Sequence, residues 1–132
     1  MPAKGPYASQ LTIMLENKPG ELERLARTLE KAGANILGIS VADGTDAAIV
    51  RIITDSITKA NQALKKAGMS PTRQKVLVVE IPNEPGALGD LAAKLTAADI
   101  NINYVYCSVS PTAAEGVAVL GVDDPEKALE AL

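Results

Sequence analysis

ENKPGEL at residues 16–22 returns as PNEPGAL at residues 82–88. The same Asn-x-Pro-Gly-x-Leu pattern twice in 132 residues marks an internal repeat. Setting residue i against i+66 carries the match well beyond the turn. Leu22, Leu25, Ala26, Leu29 and Ala32 fall on Leu88, Leu91, Ala92, Leu95 and Ala98, and Asn35-Ile36 falls on Asn101-Ile102. With two more residues inserted, Asp55 falls on Asp123, Lys59-Ala60 on Lys127-Ala128, and Leu64 on Leu132. The chain is one module written twice. Its expected parts are a leader over 1–8, a first repeat over 9–75 and a second over 76–132.

Around the first turn, QLTIML reads as a strand and Pro19-Gly20 as a helix start, with Pro19 at the first helical position. Glu21 and Glu23 suit the positive end of the helix dipole. Leu22, Leu25, Ala26 and Leu29 form a stripe facing a core, and Gly33 stands where a left-handed cap is expected. NILGISVA and AAIVRIIT then read as two strands about the turn Asp43-Gly44-Thr45-Asp46. A weaker stripe of Ala60, Ala63, Leu64 and Ala67 ends at Gly68. The second repeat has the strand RQKVLVVEI, a helix over 85–98, strands NINYVYCSV and GVAVLGV, and a helix from Pro125. Two β-α-β halves with a central hairpin give the ferredoxin-like plan: α+β, an antiparallel sheet with both helices on one face. A full unit needs a fourth strand. Repeat 1 has only residues 69–75 for it, and repeat 2 has none after its second helix.

Phe and Trp are absent, so the core must be aliphatic. No run approaches the ~20 apolar residues needed to span a bilayer, so no membrane partner is expected. The single cysteine, Cys107, permits no internal disulfide and suits a cytoplasmic protein. Residues 1–75 hold 11 basic against 7 acidic side chains (+4), and residues 76–132 hold 2 against 9 (−7). Opposite fields favour pairing of the modules, within a chain or head to tail between chains, although two solvated faces would show the same numbers. With the chain acidic overall and no aromatics among its lysines, nucleic acid is excluded as a partner.

The doubled Asn-x-Pro-Gly-x-Leu turn, each with its helix stripe and later Asn-Ile, resembles the ACT domain family, here as a tandem pair over residues 10–132. The resemblance implies a small-molecule sensor. ACT units commonly bind an amino acid where two of them meet with second strands side by side, so that the turn of one faces the second strand of the other. The corresponding positions are Asn17 and Asn83 in the turns, and Asn35 and Asn101 at the strands. On this pattern Asn17 belongs with Asn101, and Asn83 with Asn35. Such pairing makes an eight-stranded sheet less any missing strand, and a homodimer is expected to cover its open face.

Physical chemistry supports the same residues. Amides at the helix starts, Gly20-Glu21-Leu22 and Gly86-Ala87-Leu88, can take a carboxylate. An Asn side chain both donates and accepts, so it can bond either end of an amino acid. Asn35-Ile36 and Asn101-Ile102 complete the candidate ligand-binding set. Each asparagine also fits a local role in its own turn. Serine-binding members can carry a polar residue two places before the turn Asn; here Leu15 and Ile81 stand there. The second strands differ too: Gly38 and Ser40 in repeat 1 are Tyr104 and Tyr106 in repeat 2, as packing residues or as walls of a pocket.

Catalysis finds no support. Histidine is absent, Cys107 has no basic neighbour and is expected to be buried and inert, and Asp123-Asp124 reads as a helix cap before Pro125. Lys18 is a poor phosphate cradle where an arginine would be needed. No cofactor or metal is expected. The expected function is non-catalytic amino-acid binding for regulation, or else a regulatory subunit acting mainly by contact with a metabolic enzyme of amino-acid biosynthesis.

Overall fold

A computed structural model describes residues 6–132. Residues 1–5 of the expected leader lie outside the described residues. The elements run β1 (Tyr7–Glu16), α1 (Glu21–Ala32), β2 (Ile36–Ala42), β3 (Ala47–Thr54), α2 (Ile57–Lys66), β4 (Thr72–Pro82), α3 (Ala87–Ala97), β5 (Tyr104–Ser108), β6 (Glu115–Gly121) and α4 (Pro125–Ala131). The chain is α+β and ferredoxin-like in both repeats, and none of these helices is long and apolar enough to cross a membrane. It divides into two compact units, residues 9–74, and residues 75–132 with residues 6–8.

In the first unit, β3 pairs antiparallel with both β1 and β2. Alternate β1 residues Leu11, Ile13 and Leu15 pack with Val50 and Ile52 of β3 beneath Leu25 and Leu29 of α1 and Ala60 and Leu64 of α2. β-Branched and long aliphatic side chains on one strand face, set against two helical stripes, give the two-layer core. The head of β4 supplies the fourth segment. Arg73 Nη2 donates to Ser9 Oγ at 3.2 Å, and Thr12 Oγ1 and Gln10 Nε2 both reach Gln74 Oε1, at 2.9 and 3.3 Å.

The second unit repeats the plan with β6 between β4 and β5. Leu77, Ala118 and Leu120 pack against Leu91 and Leu95 of α3 and Ala128 of α4. Its fourth-strand position, for which repeat 2 offers no segment after its second helix, is filled by residues 6–8. The Val78 amide donates to the Pro6 carbonyl at 2.6 Å, and Tyr7 packs on this unit's core. Lys75 sits 4.3 Å from the Tyr7 ring centroid and 2.8 Å from a Glu126 carboxylate oxygen. That hydrogen bond holds Glu126 below, and Lys75 above, their ordinary pKa values.

The expected side-by-side second strands are not found. Among the described residues β2 bonds only to β3 and β5 only to β6, so each second strand is an edge with one open side. β5 is also shorter than the expected NINYVYCSV: Asn101 to Asn103 precede it. As an edge strand it leaves Cys107 exposed instead of buried.

Candidate functional site

Both Pro-Gly turns end in a left-handed glycine at the helix N-cap, Gly20 at φ 92° and Gly86 at φ 90°. Pro19 and Pro85 therefore stand one residue before the cap, not at the first helical position. Glycine takes this conformation without the Cβ penalty, and a Cβ on either would meet open space. The caps divide the four helices into two kinds. Ser56 Oγ and Asp124 Oδ1 accept the Lys59 and Lys127 amides at the starts of α2 and α4. α1 and α3 have no side-chain cap. The Glu21 and Ala87 amides, expected as carboxylate donors, already donate to the Lys18 and Glu84 carbonyls at 3.5 and 3.3 Å. Helix starts without a side-chain cap leave the other first-turn donors for solvent or an anion. Beside each of them a leucine of the expected core stripe is exposed instead, Leu22 at 48% and Leu88 at 40%. Ala87 is buried, and Glu21 turns along its helix to Arg24, 3.3 Å away. Lys18 is paired with Glu16 at 3.3 Å.

The turn asparagines lace each turn to the hairpin loop of the same unit. Asn17 Nδ2 donates to Asp43 Oδ1 at 2.9 Å and to the Gly44 carbonyl at 3.2 Å. Asn83 Nδ2 donates to the Ala113 carbonyl at 2.8 Å and to that of Ser110 at 3.4 Å, and its amide donates to the Ala114 carbonyl. These partners were missed in the sequence, where only the bare turn Asp43-Gly44 marked the first loop. Both asparagines are exposed.

The other two asparagines sit at the opposite end of the second strand. Asn35 precedes Ile36 and is tied to Asp55 twice: its backbone amide donates to the side-chain Oδ1 of Asp55 at 2.8 Å, and its carbonyl accepts the Asp55 amide. In the second unit Asn103 takes this role, donating to Asp123 Oδ1 at 2.9 Å, while Asn101 Nδ2 donates to Asn103 Oδ1 at 3.1 Å. The alignment of Asp55 with Asp123 was the signal for this pair. Ile36 and Ile102 are half-buried and pack on the cores of their own units. A shallow groove of about 350 Å³ lies by Asn35 and Ile36, walled by Leu29, Glu30 and Ala34. β2 has 7 residues, so at ~3.3 Å per residue Asn17 and Asn35 lie at strand ends roughly 20 Å apart. Within a unit they do not form one pocket.

No group of three His, Cys, Asp or Glu among the described residues could hold a metal ion. The chain resembles a protein of Bacteroides thetaiotaomicron at 30% identity and a TM-score of 0.90, over 98% of this chain and 89% of that one. It is similar in fold to the ligand-free regulatory subunit of aspartate kinase from Thermus thermophilus, at 16% identity and a TM-score of 0.69, over 97% and 91% of the two chains. No curated protein sequence matches it. The family model of the ACT domain pair matches residues 7–132, so the chain belongs to the ACT domain pairs, which are regulatory, small-molecule-binding domains.

Proposed function

We propose that this chain is a non-catalytic cytoplasmic regulatory protein that binds a free amino acid, in sites formed where second strands of two units pair between copies in a homodimer. The observation that carries the reading is the state of the two Pro-Gly helix starts. Each lacks a side-chain cap, each opens on a left-handed glycine with empty space beside it, and each has an exposed leucine next to it. Amide donors suit the ligand carboxylate, and the neighbouring asparagine and leucine suit its ammonium and side chain. The candidate contacts remain Asn17, Gly20, Glu21 and Leu22 with Asn101 and Ile102, and Asn83, Gly86, Ala87 and Leu88 with Asn35 and Ile36. Antiparallel pairing of two second strands sets the end of one beside the start of the other. It thereby joins a turn asparagine to a strand asparagine that one unit holds apart. With one neighbour each among the described residues, these strands take their second partners from another copy.

A thermal-shift screen of the common amino acids tests this reading. A ligand at about 100 times its Kd should add roughly 2.7 kcal/mol, a rise on the order of 10 °C for a protein of this size. No rise with any of them removes the sensor reading. What would then stand is a subunit that regulates an enzyme of amino-acid biosynthesis by contact.

A further inference from the structure

The groove of about 350 Å³ in the first unit opens where α1 ends and β2 begins. Its apolar wall is made by the buried Leu29 and Ala34, the half-buried Ile36 and the exposed Ala26, while Glu30 and Asn35 border it as exposed polar residues. Two small residues keep it open. Ala34 fills little space, and a Cβ on Gly33 would meet nothing within 4 Å. The repeat sets larger residues at these places in the second unit. Gly33 corresponds to Asp99 and Ala34 to Ile100, and Ile100 packs on the core of its own unit. Glu30 corresponds to Thr96, whose hydroxyl donates to the Ala92 carbonyl of its own helix at 2.9 Å. Where the first unit has a gap and a carboxylate, the second has a branched side chain and an engaged hydroxyl.

We propose that this groove is the side-chain subsite for the amino acid and selects an uncharged aliphatic side chain. The two sites then bind one ligand unequally, the site containing Asn35 being the tighter. This inference rests on the shared-site reading above and names its ligand class. Ligand pockets begin at about 300 Å³, so the groove suits a molecule of amino-acid size. Walls of Ala26, Leu29, Ala34 and Ile36 give no partner to a charged or hydroxylated side chain, which would lose its water there unrewarded. The polar groups stand where the rest of the ligand needs them. The C-terminal end of α1 is the negative pole of that helix, and Glu30, paired with Arg27 at 3.0 Å, adds a carboxylate; both favour an ammonium. Asn35 binds Asp55 through its backbone alone, and among the described residues its side chain makes no hydrogen bond, so its amide is left for the ligand. The ligand carboxylate goes to the helix start at Gly86, and the exposed Leu88 beside that start covers the aliphatic side chain. In the other site Ile100 stands in the space, and the ligand side chain stays in water.

Calorimetric titration of valine, leucine and isoleucine, against serine, lysine and aspartate, reads the ligand class. At least one aliphatic amino acid should bind in two steps, the tighter at least about tenfold stronger than any binding of serine, lysine or aspartate. Two variants then close the groove. Ala26→Leu fills it from an exposed helix position, and Ala34→Ile copies the second repeat. Each should weaken the tighter step about tenfold and leave the weaker step in place, which shows that the variant is folded. A single class of equal sites, a tighter step unchanged in both variants, or loss of both steps together overturns the proposal. So does a best ligand with a charged or hydroxylated side chain. Each of these results leaves the sensor reading standing. Heats of dilution alone with all six amino acids overturn the proposal too, and the thermal-shift screen then tells whether the sensor reading falls with it.

Discussion

At the scale of the residue, Asn17 and Asn83 serve their own units before any ligand arrives. Each carries a local turn role, read from its side-chain chemistry, and its actual acceptors lie 26 to 30 residues away in the hairpin loop. Asn17→Ala should therefore cost about 1 kcal/mol in urea unfolding of the ligand-free protein. An unchanged midpoint would show that the lacing contributes nothing. The left-handed positions give a second test. Gly33 at φ 74° caps α1, and the repeat places Asp99 at φ 59° on the corresponding spot after α3. Backbone bonds match at both ends, Ala34 to Leu29 and Ile100 to Leu95. Aspartate tolerates this region less well than glycine, so Asp99→Gly should stabilise by about 0.5 kcal/mol, whereas Gly20→Ala should cost about 1 kcal/mol from backbone strain alone. Thermal unfolding of the two variants reads both signs.

At the scale of the element, the helices, hairpins and antiparallel sheets were legible because each rests on local periodicity and turn chemistry. The fourth strand of the second unit was not. Pro6 to Ala8 carry no pattern that names their neighbour, and the position is filled by a segment from the far end of the chain. Likewise nothing in NILGISVA distinguishes an edge from an internal strand, so the second strands were expected beside each other. Their alternation of exposed and half-buried residues appears only once β3 is seen to cover a single side. Tyr7, Lys75 and Glu126 fasten the exchanged segment, and the fastening has a defined pH window. Glu126 is held below its ordinary 4.5, so its contribution is present above that pH and lost as pH falls through the lower folded value. Lys75 is held above 10.5, so its contribution is full below that pH and lost as pH rises past it. The stability difference between the protein and Glu126→Gln should be flat from pH 5 to pH 10 on this basis and shrink below about pH 4.5. A difference that grows on acidification would contradict this assignment.

At the scale of the whole molecule, the repeat made the family legible from two seven-residue stretches, while the proposed site depends on how units assemble. The turn and its glycine were visible because they are local. The expected pairing of Asn17 with Asn101 and of Asn83 with Asn35 came from the resemblance alone, and it depends on strands that are open edges among the described residues. The account therefore requires assembly: light scattering at micromolar concentration should give a dimer mass, and a monomer would remove the shared sites. The central claim is an amino acid held between a turn and a strand of different units. Calorimetric titration of the best amino acid from the screen into the protein, Asn17→Ala, Asn101→Ala and the double variant tests it most directly. The account predicts saturable binding, weakened by about 1–3 kcal/mol in each single variant and by less than the sum in the double. Heats of dilution alone in the unsubstituted protein, or strictly additive losses from Asn17 and Asn101, would contradict it.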